Sequence, residues 1–159
     1  MTKQTRKSPG EFIDFVCAHG FGSGLSKYAP GTIGTLAAVP LIWALSFLPF
    51  VLYLILVITG FIIGIGICTR VSARLGAKDP SSIVWDEIVG FAIAMSLSPR
   101  HLILWTIGFI LFRFFDIVKP WPIKLLEAKY KNGFGIMLDD AVAGFFTLLI
   151  LQVIEMYVI

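Results

Sequence analysis

Apolar and charged residues fall in long blocks along this chain. No charged side chain occurs between Tyr28 and Thr69. A run of that length needs at least two membrane crossings, because one crossing takes roughly 20 apolar residues. Pro49 divides it into a first segment at about 35–48, which carries Pro40, and a second at 50–69, which is long enough to cross. The two predict a hairpin whose ends return to one side. A second hairpin starts after Asp86-Glu87. Its first leg runs to Leu97, Pro99-Arg100-His101 interrupts, and its second leg runs from Leu102 to Phe112. Full crossings would require the legs to extend to about 81–98 and 101–116. A last apolar segment begins at Asp139-Asp140 and continues to the end of the sequence.

The first residues read differently. Residues 1–7 are expected to be a disordered basic tail. Ser8-Pro9-Gly10-Glu11 is the signature of a capped helix start, with Ser8 as cap, Pro9 in the first position and Glu11 at the third. Phe12, Ile13, Phe15 and Val16 then form a stripe, which predicts a short helix lying on the membrane surface. His19 reads as a polar helix-end residue. Residues 20–35 hold five glycines and predict a loop whose last residues open a helix, with Thr32 or Thr35 as cap. Residues 8–159 thus form one helical membrane domain, an all-α, multi-helix integral membrane bundle with helical hairpins and a surface N-terminal helix.

Composition agrees: 57% of residues are apolar, 14% are charged, and mean hydropathy is +0.88. Lys3, Arg6 and Lys7 before the first apolar segment, and Arg70, Arg74 and Lys78 after the first hairpin, point to a cytoplasmic side. A secretory signal is not expected, because no basic start leads into an apolar core and cleavage site. The net charge of +3 is small, and no nucleic-acid partner is expected. Cys17 and Cys68 make no disulfide or metal framework.

The chemistry concentrates in the stretch from Phe112 to Asp140. Arg113, Asp116 and Lys119 are spaced to gather on one side of a helix. The second hairpin brings its entry, Asp86 and Glu87, beside its exit, Arg113 and Asp116. Asp86 precedes Gly90 and Asp140 precedes Gly144 by one turn, and a glycine there lets another backbone come close. Acids at the ends of membrane segments mark functional sites. Hard oxygen ligands without Cys or His point to Mg²⁺, with Mn²⁺ as the other choice. Arg113, Lys119 and Lys27 would bind phosphate oxygens. Carboxylates, a divalent cation and bases together suit phosphoryl transfer. The glycine loop is not a Walker A sequence, since no Gly-Lys-Ser/Thr follows at the required spacing. Cys68 and Arg74 match the Cys-x5-Arg spacing of cysteine phosphatases, but they fall at the end of an apolar helix, where a tight phosphate loop is not expected.

Four blocks in order carry a family resemblance: G-S-G-L-S-K-Y-A-P-G-T-I-G-T at 22–35, D-E-I-V-G at 86–90, F-R-F-F-D-I-V-K-P-W-P-I at 112–123 and G-I-M-L-D-D-A-V-A-G at 135–144. Over about residues 12–150 the chain resembles bacterial phosphatidylglycerophosphatase A. The resemblance implies a Mg²⁺-dependent, multi-pass enzyme of the bacterial inner (cytoplasmic) membrane, its site facing the cytoplasm. It would convert the phospholipid phosphatidylglycerophosphate to phosphatidylglycerol and inorganic phosphate. On that reading Asp86, Asp139 and Asp140 hold the metal, with Glu87 as a further ligand or as the base that activates water. Arg113 and Lys119 clamp the phosphate, and Asp116 orients Arg113 or completes the metal site. Thr32 and the glycine loop support phosphate or glycerol. Water is the preferred nucleophile, with an aspartyl-phosphate the other route. The alternative function is a membrane transporter or channel with an intramembrane acidic ion site. The sequence leaves open the oligomeric state and whether there are three, four or five crossings.

Overall fold

The computed structural model describes residues 8–77 and 80–158, so the basic tail and Lys78 lie outside the described residues. Among the described residues every regular element is helical: α1 (Pro9–Ala18), a 3₁₀ stretch (Gly20–Leu25), α2 (Pro30–Leu45), α3 (Phe50–Leu75), α4 (Trp85–Met95), α5 (Leu102–Val118), α6 (Ile123–Lys129) and α7 (Gly133–Val158). The all-helical expectation holds.

The capping box at the start of α1 is present. Ser8 Oγ accepts from the Glu11 N–H at 3.3 Å and Glu11 Oε2 accepts from the Ser8 N–H at 2.9 Å. Phe12 and Ile13 are exposed, whereas Asp14 is buried against α3. There Arg70 grips the Asp14 carboxylate with two hydrogen bonds of 2.7 and 2.8 Å, and Arg74 adds a third at 3.3 Å. His19 ends the helix, with Nδ1 2.7 Å from the Phe15 carbonyl oxygen.

The division at Pro49 is where α3 starts. α3 runs past Thr69 to Leu75, so Arg70 and Arg74 lie on its last turns, and Gly76 closes it with φ +67°. α2 starts earlier than expected. Pro30 occupies its first turn, the residue before it, Ala29, is left-handed, and no side chain caps it. Thr35 is no cap either: its hydroxyl donates to the Gly31 carbonyl at 2.8 Å inside the helix. The overlooked signal is Pro30 itself, whose fixed φ and missing N–H suit a first helical position.

α7 also starts earlier than the charge pattern suggests. Asn132 Oδ1 accepts from the Gly135 N–H at 3.1 Å, and the helix runs from Gly133. Asp139 and Asp140 therefore sit well inside α7 instead of at its first residue. α4 (Trp85–Met95) closely matches the leg read from after Asp86-Glu87 to Leu97 and does not extend to 81–98, as a full crossing would require. Its eleven residues span about 16 Å, half a bilayer core, and most of them are buried.

α7 is the hub. α3, α4, α5 and α6 all pack against it. α3 and α7 are the two helices long and apolar enough to cross a membrane. They differ in surroundings, since α7 is mostly enclosed whereas α3 turns Val51, Ile55, Ile58 and Ile62 outward. Apolar side chains so placed have no protein partner and suit lipid. Between α4 and α5, Phe91 packs against Trp105, Phe109 and Phe112. At the far end, Arg100 donates to the Ser46 carbonyl at 2.7 Å and lies over the Phe47 ring. That joins the tips of the two predicted hairpins.

Candidate active site

The site is built on a crossing of two helices that touch backbone to backbone. A Cβ on Gly90 of α4 would stand 2.7 Å from the Asp140 carbonyl oxygen, and one on Gly144 of α7 would stand 2.2 Å from the Gly90 carbonyl oxygen. No side chain fits at either position. One turn before each glycine is an acid, so the close crossing carries Asp86 and Asp140 to the same place. Glu87 follows Asp86. One carboxylate oxygen from each of Asp86, Glu87 and Asp140 lies within 4.8 Å of the others, and all three residues are buried. Asp86 and Glu87 occupy the first turn of α4, where the helix dipole favours negative charge.

The second wall comes from the last turns of α5. Arg113 Nη1 is paired with Asp116 and lies 3.6 Å from Glu87 Oε1. Lys119 does not continue the helix. Pro120 disfavours helical geometry in the residue before it, and Lys119 takes a left-handed conformation at the C-cap. From there its ammonium reaches Asp139 Oδ2 at 2.6 Å and Glu127 Oε1 at 3.1 Å. Burial works against the Lys119 charge, yet these two carboxylates hold its pKa above the ordinary lysine range.

The third wall is the start of α2. A Cβ on Gly31 would collide with Glu87 Oε1 at 2.1 Å and press on the Arg113 guanidinium. The helix therefore enters the site only because residue 31 has no side chain. The first N–H groups of a helix have no partner within it and attract anions, and Gly31 and Thr32 bring that end of α2 to the site.

These walls enclose an open pocket of about 320 Å³ lined by Thr32, Asp86, Glu87, Arg113, Asp116, Lys119, Asp139 and Asp140, with Ser81 and Ile83 from the segment before α4. Eight of the nine residues singled out in the sequence thus meet. Lys27 is exposed and outside the pocket wall. Within the pocket the acids divide. Asp86, Glu87 and Asp140 face one another, while Asp139 is engaged with Lys119 and accepts the Asp140 N–H at 3.0 Å. Glu87 Oε2 and Asp140 Oδ2 are buried without a hydrogen-bond partner. Buried carboxylate oxygens in that state are costly, and the three carboxylates gathered there fit a hard divalent cation. Gly31, Ser81 and the Glu127–Lys119 pair are the parts that sequence reasoning missed or left without a place. Cys68 is buried in the interior of α3 and Arg74 is tied to Asp14, so the Cys-x5-Arg spacing forms no phosphate loop.

The model of the family described as Phosphatidylglycerophosphatase A matches residues 16–155. A phosphatidylglycerophosphatase A of Escherichia coli is 44% identical over 80% of this chain and 74% of its own length. One of Haemophilus influenzae is 42% identical over 89% of this chain and 88% of its own length. A protein of Bacteroides thetaiotaomicron described as a putative phosphatidylinositol-3-phosphatase is 39% identical over 89% of this chain and 93% of its own length. No solved structure matches the chain.

Proposed function

The chain belongs to the phosphatidylglycerophosphatase A family and is a phosphatase, and from that premise we propose that it cleaves the terminal phosphomonoester of phosphatidylglycerophosphate with the help of Mg²⁺. The observation that carries the proposal is the buried trio Asp86, Glu87 and Asp140 beside Arg113 and the start of α2. Asp86 and Asp140 would hold the metal, Glu87 beside them would act as the base, and Asp139 would act from behind by aiming Lys119. When bound, a divalent cation supplies charge stabilisation to phosphoryl oxygens and lowers the pKa of water.

The protein groups do the rest. Arg113, held in place by Asp116 and Glu87, presents its guanidinium to the phosphate. The N–H groups of Gly31 and Thr32 face the same anion at the helix end. Lys119 donates from the opposite wall. A water oxygen attacks phosphorus, its proton passes to Glu87, and the P–O bond to glycerol breaks. The leaving glycerol oxygen takes a proton from solvent at the open pocket while Glu87 returns its own, so phosphatidylglycerol and inorganic phosphate are the products. Arg70 and Arg74 on the last turns of α3 favour the cytoplasmic side of the inner membrane for this end of the bundle. The acyl chains then stay in lipid while the headgroup enters the pocket.

The test is release of inorganic phosphate from phosphatidylglycerophosphate in detergent micelles, with phosphatidylinositol 3-phosphate run in parallel. EDTA should abolish release, Mg²⁺ should restore it, and Cys68→Ser should leave it unchanged. EDTA-resistant release that disappears in Cys68→Ser would overturn the metal assignment. Faster turnover of the inositol lipid would overturn the substrate assignment.

A further inference from the structure

A second cavity of about 320 Å³ opens beside the pocket, between α6 and the first turns of α7. The two share Asp139 as a common wall. Glu127 lines the second cavity and bonds the Lys119 ammonium, which lines the first. The two spaces are thus neighbours separated by one ion-paired partition, Asp139–Lys119–Glu127.

The linings differ in what they leave available. In the first pocket Arg113 and Lys119 are both already bound to acids. In the second, Lys124 and Lys131 line the space, and neither forms an ion pair among the described residues. The two acids there, Asp139 and Glu127, are both engaged by Lys119. Ala128, Tyr130 and Ile136 make the rest of the wall mostly apolar. Leu125 and Trp121 beside it are exposed, in keeping with a position at the lipid boundary.

The substrate proposed above carries two phosphates: a terminal monoester and, across one glycerol, a diester joined to the acylated glycerol. We propose that the α6 cavity is the subsite for the retained phosphodiester, with Lys124 and Lys131 as its cationic partners and the apolar wall receiving the adjoining glycerol. This rests on the reading of the first pocket as the site of monoester cleavage. Two anions one glycerol apart call for two neighbouring anion sites, Arg113 and Lys119 serving the first and Lys124 and Lys131 the second, and a lipid phosphate without the second anion fills only one of them. Lys124 and Lys131 are then residues that set substrate preference, without touching the reacting atoms.

The experiment is steady-state kinetics of the full-length enzyme on phosphatidylglycerophosphate in uncharged detergent micelles. The Lys124→Gln/Lys131→Gln double variant should raise KM about tenfold while kcat stays within about twofold. Inhibition by inorganic phosphate, which reports on the first pocket, should be unchanged. Lys124→Arg/Lys131→Arg should restore KM, and Lys129→Gln, a lysine of the same helix that does not line the cavity, should leave KM as it was. An unchanged KM in the double Gln variant, a parallel fall in kcat, or an equal effect of Lys129→Gln would overturn the subsite. Absence of phosphate release by the unmodified enzyme would instead overturn the function on which the subsite rests.

Discussion

At the scale of single residues, the pocket separates acids that face one another from acids that are paired with its two bases. Asp140 and Glu87 each place a buried, unpartnered oxygen in the acidic trio. Asp140→Asn and Glu87→Gln keep the shape and remove the charge, so each should lower kcat by at least about 100-fold with little loss of thermal stability. Phosphate release and a melting curve in detergent check the two halves of that statement. Arg113 is different, because it neutralises Glu87 and Asp116 inside the protein. Arg113→Ala leaves those acids uncompensated and should destabilise the fold by about 3–5 kcal/mol as well as abolish turnover. Lys27 lies outside the pocket wall, and Lys27→Ala should keep activity within about twofold. The residue chemistry was largely legible in the sequence because acids and bases are scarce in an oily chain, so each one stands out. What could not be read was their division of labour. Asp139 and Asp140 are adjacent and chemically identical, yet one turns to Lys119 and the other to Asp86 and Glu87, a choice made by helix rotation.

At the scale of elements, the Gly90–Gly144 crossing decides where the acids stand. Gly144→Ala puts a methyl group where the Gly90 carbonyl oxygen already is. The helices must separate, at a cost of about 1–3 kcal/mol, and the trio opens with them, so kcat should fall at least about tenfold. Gly60→Ala is the matching control: its Cβ would meet Val89 at 3.5 Å, an ordinary contact, and it should be close to neutral in both assays. The glycine spacing was readable in advance, because an acid one turn before a glycine occurs in both helices. The starts of α2 and α7 were not. Pro30 and Asn132 set them locally, while the long apolar runs downstream drew attention away from the true first turns. The α1 attachment to α3 gives a pH prediction. The Arg70 hydrogen bonds, opposed by burial and helped by the charges of Arg70 and Arg74, hold Asp14 below the ordinary aspartate pKa. A lowered native pKa stabilises above the unfolded value and weakens as pH falls through the native one. Limited proteolysis should therefore find α1 protected from neutral pH down to the ordinary aspartate range, and cleavable only in stronger acid. Asp14→Asn should be cleavable already at neutral pH.

At the scale of the whole molecule, α3 and α7 play opposite parts. α3 shows lipid a surface of Val51, Ile55, Ile58 and Ile62, whereas α7 gives most of its surface to other helices. A charge on the outer face of α3 meets hydrocarbon. Ile58→Arg should cost about 3 kcal/mol of insertion free energy and appear as a smaller carbonate-resistant membrane fraction, with no change in turnover per inserted molecule. α4, at about 16 Å and enclosed by its neighbours, does not need to reach both faces of the bilayer. This is why hydropathy alone overstates the second hairpin: a helix buried in protein and a helix buried in lipid are equally apolar, and only length and packing tell them apart.

The order of synthesis adds one more consequence. α3, α4, α5 and α6 share α7 as their common support, and α7 leaves the ribosome after all of them. Until it arrives, Asp86 and Glu87 have no Asp140 opposite them and Lys119 has no Asp139. On the proposed site, the nascent protein would enter the bilayer helix by helix while still catalytically silent, and would switch on in a single event when α7 slides into the middle.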